Sequence, residues 1–360
     1  MAVVGQSCSN ASTVVMMTEL ELPLLRLCAL VIAPLCPAAL CKGGSMPLPG
    51  TAAPISTHPD DVRVPLNPAD VGNLLRVAVA RGLLRAGHLW RVNFSIAGDL
   101  AGQTVRVPLV AGLGWEHLRM REVWLFHFLQ WALDQRAGAV VDVGVNVGQT
   151  LLKVKAAAPG RTYVGFEPNP HCLQYTQQLI QLNRFQHCTL VPVGLSDRNG
   201  LATMLLNPDA DPSATLVEGF REPERYRRAM MVPVAVGDEV LPTVVDGPIA
   251  AIKIDVEGGE LDVLRGLVRT LESQRPVIVC EVLPVFDPAS EIGHLRLSRQ
   301  SAVRDLLRRF DYQMYRIHLD ETTTEVDGFG VHGDLTLTNY VFVPPGQRAS
   351  FARRFARSSR

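Results

Sequence analysis

The apolar residues of this chain follow two different patterns. Downstream of position 140, short runs that are mostly apolar alternate with segments of helical periodicity. Upstream of it, two amphipathic helical patterns flank a strand-like alternation. A strand that is apolar on both faces is typical of a parallel sheet covered by helices on both sides. We therefore expect an α/β fold with a mostly parallel sheet and helices on both faces.

The downstream region, residues 137–345, is expected to form the main domain. Its buried strands are predicted at 140–143, 162–167, 189–195, 250–255 and 276–281. Its helices are predicted from 149 to the Pro159-Gly160 break, after the capping residue Asn169, and over 260–273. A helix at 301–310 and strands at 312–317 and 339–343 complete the pattern. The last two strands are expected to close the sheet as an antiparallel C-terminal edge.

The upstream region, residues 61–136, is predicted to be a helix and hairpin module that packs on the main domain. Helical periodicity covers 65–87 and 115–135, and alternating strands with central glycines cover 91–109. All four tryptophans of the chain lie in this module. They either pack the module against the main domain or, with Trp115 as the candidate, wall a pocket for an acceptor molecule.

Three further segments differ from these regions. Residues 1–60 are rich in Ala, Pro, Ser, Thr and Gly and are predicted to be a disordered leader. Their apolar stretch at 22–41 leaves a signal or anchor segment as the alternative, although prolines interrupt it and its charge-free part is shorter than the roughly 20 residues of a membrane span. Residues 205–235 form a long insert that is predicted to be a lid. Residues 346–360 are predicted to be a solvated basic tail.

Composition limits the partners and the compartment. The formal net charge is zero, which argues against a nucleic acid partner. The seven cysteines include neither a C-x-x-C pair nor zinc-ligand spacing, and such a set is typical of reduced thiols inside a cell. We therefore expect a cytoplasmic protein without a nucleic acid or membrane partner.

The strand at 140–143 leads into a turn with the pattern D-x-G-x-N-x-G. Gly144 and Gly148 allow a ligand to approach the backbone closely, and the turn is expected to aim free N–H groups at it. Asp142 is placed to pair with a cation. Asn146 stands where the dinucleotide fingerprint G-x-G-x-x-G has its middle glycine, so this turn differs from a standard dinucleotide site.

Acidic side chains follow the strands of this predicted sheet at the edge where ligands bind in open α/β folds. Glu167 ends the second strand and is expected to bind two ribose hydroxyls, and Asp197 ends the third and is expected to accept from an adenine amine. Asp255 and Glu257 follow the fourth strand. No basic residue near these positions could hold a phosphate. The ligand is therefore predicted to be a nucleoside with a zwitterionic arm, for which S-adenosylmethionine fits.

Three sequence blocks resemble the FkbM-type family of S-adenosylmethionine-dependent methyltransferases. They are Asp142-Val-Gly-Val-Asn-Val-Gly-Gln149, Gly165-Phe-Glu-Pro-Asn-Pro170 and Lys253-Ile-Asp-Val-Glu-Gly-Gly-Glu260 with Val263-Leu-Arg-Gly266. The resemblance extends over about 90–345, and it departs from the family at Gly259, where alanine is usual. It implies the Rossmann-like fold of class I methyltransferases and transfer of a methyl group to a hydroxyl of a small molecule, glycan or polyketide.

By position, the resemblance also implies which residues bind the cofactor. These are Asp142, Gly144, Asn146, Gly148 and Glu167, with Asp197 near the adenine.

Methyl transfer to oxygen requires an aligned acceptor and a group that takes the hydroxyl proton. Asp255 and Glu257 are the predicted catalytic residues, since both leave the fourth strand beside the expected methyl site. Each could instead have a local role, Asp255 by bonding the cofactor amine or nearby backbone and Glu257 by capping the next helix. Glu281 ends the fifth strand and is a candidate contact for the acceptor. These acids form no dedicated ligand set, so no metal is expected.

Two other functions remain open on the sequence alone. A nicotinamide-dependent dehydrogenase is the first, although the missing middle glycine and the block after the fourth strand argue against it. A nucleoside-binding domain that kept the fold without catalysis is the second.

Overall fold

The computed structural model describes residues 71–118, 121–206, 214–220, 226 and 228–355. The leader predicted at 1–60, and with it the alternative of a signal or anchor segment, lies outside the described residues. No helix in the described part of the chain is long and apolar enough to cross a membrane.

An eight-stranded sheet forms the centre of the molecule. Its strands are β3 (Ala139–Val143), β4 (Tyr163–Phe166), β5 (Cys188–Val191), β9 (Ile249–Ile254), β10 (Val277–Glu281), β11 (Gln313–Ile317), β12 (Thr323–Glu325) and β13 (Asn339–Val343). Their order across the sheet is β12-β11-β13-β10-β9-β3-β4-β5. The five strands from β10 to β5 run parallel, and β13, β11 and β12 add the predicted antiparallel edge.

Every residue of β3 and β9 is buried, as their mostly apolar sequences predicted, and this includes the polar residues Asp142 and Lys253. Because side chains alternate along a strand, Val140 packs into one core cluster and its neighbour Val141 into another on the opposite face. The α-helices that the structure describes are α1 (Val71–Arg85), α2 (Val123–Gln135), α3 (Gln149–Ala157), α4 (Pro170–Asn183), α5 (Gly237–Val244), α6 (Glu260–Arg265), α7 (Val268–Ser273), α8 (Glu291–Arg309) and α9 (Arg348–Phe355).

The upstream module has the predicted hairpin, made of β1 (Asn93–Leu100) and β2 (Gln103–Val110) in antiparallel register. The Asn73 side chain joins α1 to this hairpin by exchanging two hydrogen bonds of 2.8 Å with the backbone of Ala97. The prediction of one helix over 115–135 was wrong. Trp115–Leu118 forms a 3₁₀ turn, and α2 begins only after Glu122, whose φ of 51° is left-handed.

The third predicted strand is divided in two. β5 stays in the main sheet, whereas β6 (Gly194–Ser196) belongs to a three-stranded sheet with β7 (Gly200–Leu206) and β8 (Arg228–Val236). Pro192 lies at the break, where a residue without a backbone N–H cannot continue a ladder. The predicted insert therefore contains paired strands, and the acid expected to end the third strand of the main sheet follows a strand of the smaller sheet.

The helix predicted over 260–273 is divided at Gly266 and Leu267. The Gly266 carbonyl accepts a hydrogen bond from the Asp238 backbone N–H (2.7 Å). The Asp238 carboxylate in turn accepts from the backbone N–H groups of Arg269 (2.7 Å) and Thr270 (2.9 Å) in the first turn of α7. A carboxylate from another helix thus caps α7 and favours a new helix start there.

The described part of the C-terminal segment, which ends at Phe355, packs on the rest of the protein. α9 buries Phe351 and Phe355, and both rings pack against Trp131 of α2, at centroid distances of 5.1 and 5.8 Å. The prediction of a solvated end was therefore wrong for these two side chains, although Arg353 and Arg354 between them are exposed.

α8 begins ten residues earlier than predicted. Ser290 caps it by accepting a hydrogen bond from the Gly293 N–H (3.0 Å).

Candidate functional site

A cavity of about 330 Å³ lies at the carboxyl ends of β3, β4, β9 and β10. Six of the residues predicted for the site line it: Gly144, Asn146, Glu167, Asp255, Glu257 and Glu281. Parallel strands end at one edge of a sheet, so side chains far apart in sequence meet there. The fold thus assembles most of the predicted site in one place.

Four other predicted residues do not line this cavity. Trp115 is buried in the upstream core, so it serves packing. Gly148 faces Thr176 and Leu179 of α4 and precedes α3. Asp197 lies 4.0 Å from the guanidinium groups of two exposed arginines, while its neighbours Ser196 and Arg198 line the wall instead. The adenine contact expected of Asp197 is therefore not supported by its position.

Asp142, the fourth of these residues, is fully buried behind the wall. Its Oδ2 accepts a hydrogen bond from the Tyr163 hydroxyl at 2.5 Å. Burial raises the pKa of Asp142 to about 6, although the charge of nearby Lys253 opposes this. The charge of Lys253 thus acts on Asp142, as the predicted pairing with a cation requires. The hydrogen bond of the carboxylate is to Tyr163.

The glycine turn differs from the expectation of free N–H groups. The N–H groups of Gly144 and Val145 donate to the Phe166 carbonyl, that of Gly148 donates to the Val145 carbonyl, and that of Asn146 donates to Glu167. Gly144 has a φ of 86°, and a Cβ there would lie 1.9 Å from the Asp255 carbonyl oxygen. These contacts make the turn a rigid wall that joins the ends of β3, β4 and β9.

Glu167 is held by two backbone donors. Its Oε2 accepts from the Asn146 N–H (2.7 Å) and its Oε1 from the Asn169 N–H (2.8 Å). Burial raises its pKa to about 7, and the two N–H bonds oppose the rise. Each carboxylate oxygen retains a second lone pair, so the group can still accept two hydroxyl donors from the cavity.

Lys253 of β9 is a buried cation that lines the cavity beside Asp255, so the prediction that no basic residue lies near the acids was wrong. Its Nζ donates to Asp255 Oδ2 at 2.8 Å. Burial alone would lower its pKa, but Asp255 and then Asp142 outweigh burial and hold the pKa above its usual range. The lysine is therefore charged, and it fixes the Asp255 carboxylate at the cavity wall.

Glu257 has a φ of 51°, which is uncommon for a residue with a side chain. Its carbonyl oxygen accepts from the Thr215 hydroxyl at 2.7 Å. Thr215 belongs to the predicted insert, and its neighbours Ala214 and Leu216 line the cavity. The insert thus contacts the cavity through residues 214–216, and the backbone of the predicted catalytic acid is anchored to it.

Glu122 was not anticipated from sequence. It lines the cavity from the upstream module, and its Oε2 accepts from the buried Lys153 Nζ at 3.1 Å. No motif marks it, because it enters the site through the packing of α2 on α3 and its left-handed backbone. The upstream module therefore contributes a charge as well as packing.

The cavity wall is mainly acidic. Among the described residues it carries six carboxylates, namely Glu122, Glu167, Asp255, Glu257, Asp262 and Glu281, against the two cations Arg198 and Lys253. Apolar side chains, among them Phe166, Leu195 and Leu216, form the rest of the lining. Such a cavity suits a ligand with an apolar ring and a positive charge and disfavours a pyrophosphate. No group of three or more His, Cys, Asp or Glu side chains in the described ranges could hold a metal ion.

Residues 142–314 match the family described as the methyltransferase FkbM domain. Methyltransferase sdnD from Sordaria araneosa is 29% identical over 154 residues, which cover 36% of this chain and 60% of that protein. The chain thus spans less than two thirds of the length of this relative.

Solved methyltransferase structures align with lower identity. The methyltransferase FkbM structure from Methylobacillus flagellatus KT is 18% identical, covers 57% of this chain and 43% of its own, and has a TM-score of 0.36. The O-methyltransferase from Bacillus cereus, solved in complex with SAH, is 12% identical, covers 62% and 80%, and has a TM-score of 0.38.

These alignments are too weak to identify the fold by themselves. The order of strands in the sheet and the family match confirm the Rossmann-like class I methyltransferase fold expected from the sequence. The region of residues 142–314 is a domain of the FkbM methyltransferase family.

Proposed function

We propose that this domain transfers a methyl group from S-adenosylmethionine to a hydroxyl oxygen of a small molecule, glycan or polyketide. The observation that carries the proposal is the buried carboxylate of Glu167, fixed by two backbone N–H groups at the wall of an acidic cavity. A carboxylate in that position can accept both hydroxyls of a ribose.

The donor set of the cavity fits this cofactor. Glu167 would bind the ribose, apolar residues around Leu195 with Ser196 would contact the adenine, and the turn at Gly144 and Asn146 would border the amino-acid end. The excess of carboxylates favours the positive sulfonium and ammonium groups. When bound, S-adenosylmethionine supplies a methyl group already activated by its charged sulfur.

The chain itself then has to orient the acceptor and handle one proton. The sequence assigned the proton to Asp255 or Glu257. Because the Asp255 carboxylate is paired with Lys253 at 2.8 Å, we assign Asp255 to balancing the buried charge of Lys253. We assign Glu257, whose backbone carbonyl accepts from Thr215, to orienting the acceptor.

The dehydrogenase alternative requires a site for a pyrophosphate. In the glycine turn, four N–H groups that could have bound phosphate donate to protein oxygens instead. The acidic wall also disfavours a phosphate by charge. A non-catalytic domain of the same fold would differ only in turnover, so it is distinguished by product formation.

Binding calorimetry with S-adenosylhomocysteine and with NAD tests the proposal. We expect the first ligand to bind and the second not to. Glu167→Gln places an amide against two N–H donors, so it should weaken binding of S-adenosylhomocysteine by about 1–3 kcal/mol. Glu272→Gln, on the exposed face of α7, is the matched control and should leave affinity unchanged.

Equal affinity of the Glu167→Gln and Glu272→Gln variants would refute the ribose assignment, and tight binding of NAD would refute the cofactor. Formation of S-adenosylhomocysteine from S-adenosylmethionine on addition of hydroxyl acceptors separates the enzyme from the non-catalytic alternative.

A further inference from the structure

Glu281 is the last residue of β10, and its side chain lines the cavity. Its Oε1 lies 3.1 Å from the hydroxyl oxygen of Thr338, the residue just before β13. Thr338 is only 2% exposed, and its carbonyl accepts from the Val282 N–H (2.8 Å). The carboxyl group is therefore oriented by the antiparallel edge of the sheet rather than by a mobile loop.

Charged groups from two other parts of the fold face Glu281. Asp255 and Glu257 follow β9, Lys253 lies on β9, and Glu122 precedes α2. Lys253 is bonded to Asp255, so its charge only partly offsets the surrounding acids at Glu281. Burial first, and then Asp255, raise the pKa of Glu281 to about 8. The group can therefore take up and release a proton near neutral pH, as a base at a reacting oxygen must.

The Thr338 hydroxyl has two possible acceptors. Its oxygen lies 3.1 Å from Glu281 Oε1 and 3.2 Å from the Leu335 carbonyl oxygen. Since a hydroxyl carries one proton, it can donate to the Glu281 carboxylate or to Leu335, and in the second case it can accept from a protonated Glu281. Both protonation states of Glu281 are thus satisfied without a side-chain movement.

We propose that Glu281 is the catalytic base of this domain and that Thr338 is its positioning residue. The inference rests on the proposed methyl transfer. The acceptor oxygen forms its bond to the methyl carbon while the carbon–sulfur bond breaks and its electron pair stays on sulfur. The hydroxyl proton passes to the Glu281 carboxylate and then to solvent, so the step needs no other reactant.

Carbon-13 NMR of the cofactor-free protein, labelled at the glutamate carboxyls, measures the proton affinity of Glu281 directly. The signal lost in Glu281→Gln identifies the group, and we expect its midpoint near pH 8. Thr338→Val removes a donor to the ionised form and should move the midpoint upward, whereas Thr338→Ser keeps the hydroxyl and should restore it. A midpoint near the ordinary glutamate value of 4.5, or one that Thr338→Val leaves unchanged, would overturn the inference.

Calorimetry at pH 6 and pH 9 gives a second readout that requires no acceptor. S-adenosylmethionine carries a sulfonium charge that S-adenosylhomocysteine lacks, so the former should gain more affinity than the latter when Glu281 is ionised. The ratio of the two affinities should rise with pH, by about tenfold if the sulfonium lowers the pKa of Glu281 by about one. Contributions from groups that both ligands contact, such as Glu167, cancel in this ratio.

The two readouts separate the possible failures. Glu281→Gln should bind both ligands and lose the pH dependence of the ratio. If the intact protein binds neither ligand, the proposed function fails. If it binds both with a ratio that is the same at pH 6 and pH 9, the cofactor site stands and the assignment of Glu281 is wrong.

Discussion

Glu260 is one of several buried acids in this domain whose pKa is raised by burial. It begins α6, and its Oε1 accepts from the Gly258 N–H at 2.8 Å. Burial raises its pKa from 4.5 to about 7, and the backbone bond opposes the rise. The pKa values of Glu167 and Asp142 are raised for the same first reason. These residues therefore hold protons in the folded protein more tightly than in the unfolded chain.

A folded pKa above the unfolded one means that stability is lost as pH rises between the two values. For Glu260, the free energy of unfolding should fall from about pH 4.5 to about pH 7, at a limiting rate of about 1.4 kcal/mol for each pH unit. Glu260→Gln should remove this loss. Urea unfolding at pH 5 and pH 8 measures it, with exposed Glu272→Gln as the control, and parallel curves for wild type and Glu260→Gln would contradict it.

At the level of elements, a close packing contact lies where a helix that the pattern predicted to be continuous is divided. Gly266 lies between α6 and α7, and a side chain there would have no room. A Cβ at this position would lie 2.1 Å from the Ser196 carbonyl oxygen and 3.3 Å from the Gly237 nitrogen. The apolar periodicity of the sequence indicates which face of each helix is buried, but it does not indicate this contact with β6.

Gly266→Ala should therefore destabilise the protein by about 1–3 kcal/mol, the usual cost of overpacking. The backbone φ of Gly266 is −72°, so the cost would come from the contact and not from the conformation of alanine. Gly160→Ala is the matched control, since an added Cβ there meets no atom within 4 Å. Denaturant unfolding of both variants checks this, and equal midpoints would show that Ser196 can move away.

On the scale of the whole molecule, α9 connects the last strands to the upstream module. Phe351 packs against Trp131 of α2 and, at a centroid distance of 4.7 Å, against Tyr315 of β11. The Trp131 indole N–H donates to the Ser350 hydroxyl at 3.1 Å. The same α2 follows Glu122, which lines the cavity, so the C-terminal helix supports the module that completes the site.

Phe351→Ala should cost about 3–5 kcal/mol, as for other large buried aromatic residues. Arg353→Ala changes an exposed side chain of the same helix and should change stability by less than about 0.5 kcal/mol. Urea unfolding measures both. A small loss for Phe351→Ala would mean that α9 is not coupled to the core.

The order of strands and helices could be predicted from the sequence because it depends on local chemistry. Apolar runs such as Val277–Cys280 require cover on both faces, and the acids Glu167, Asp255 and Glu281 directly follow mostly apolar runs. Parallel strands then bring these acids to one edge of the sheet. The fold, the family and six residues that line the cavity could be predicted in this way.

Tertiary structure alone decided which groups reach the cavity. Asp142 and Trp115 have suitable chemistry but are buried behind the wall, whereas Glu122 enters it from a distant module. The contact of Thr338 with Glu281 likewise joins residues 57 positions apart. Such contacts depend on how distant segments pack. The pattern of apolar and polar residues along the chain indicates which positions are buried and whether a segment is a helix or a strand, but not which distant atoms come into contact.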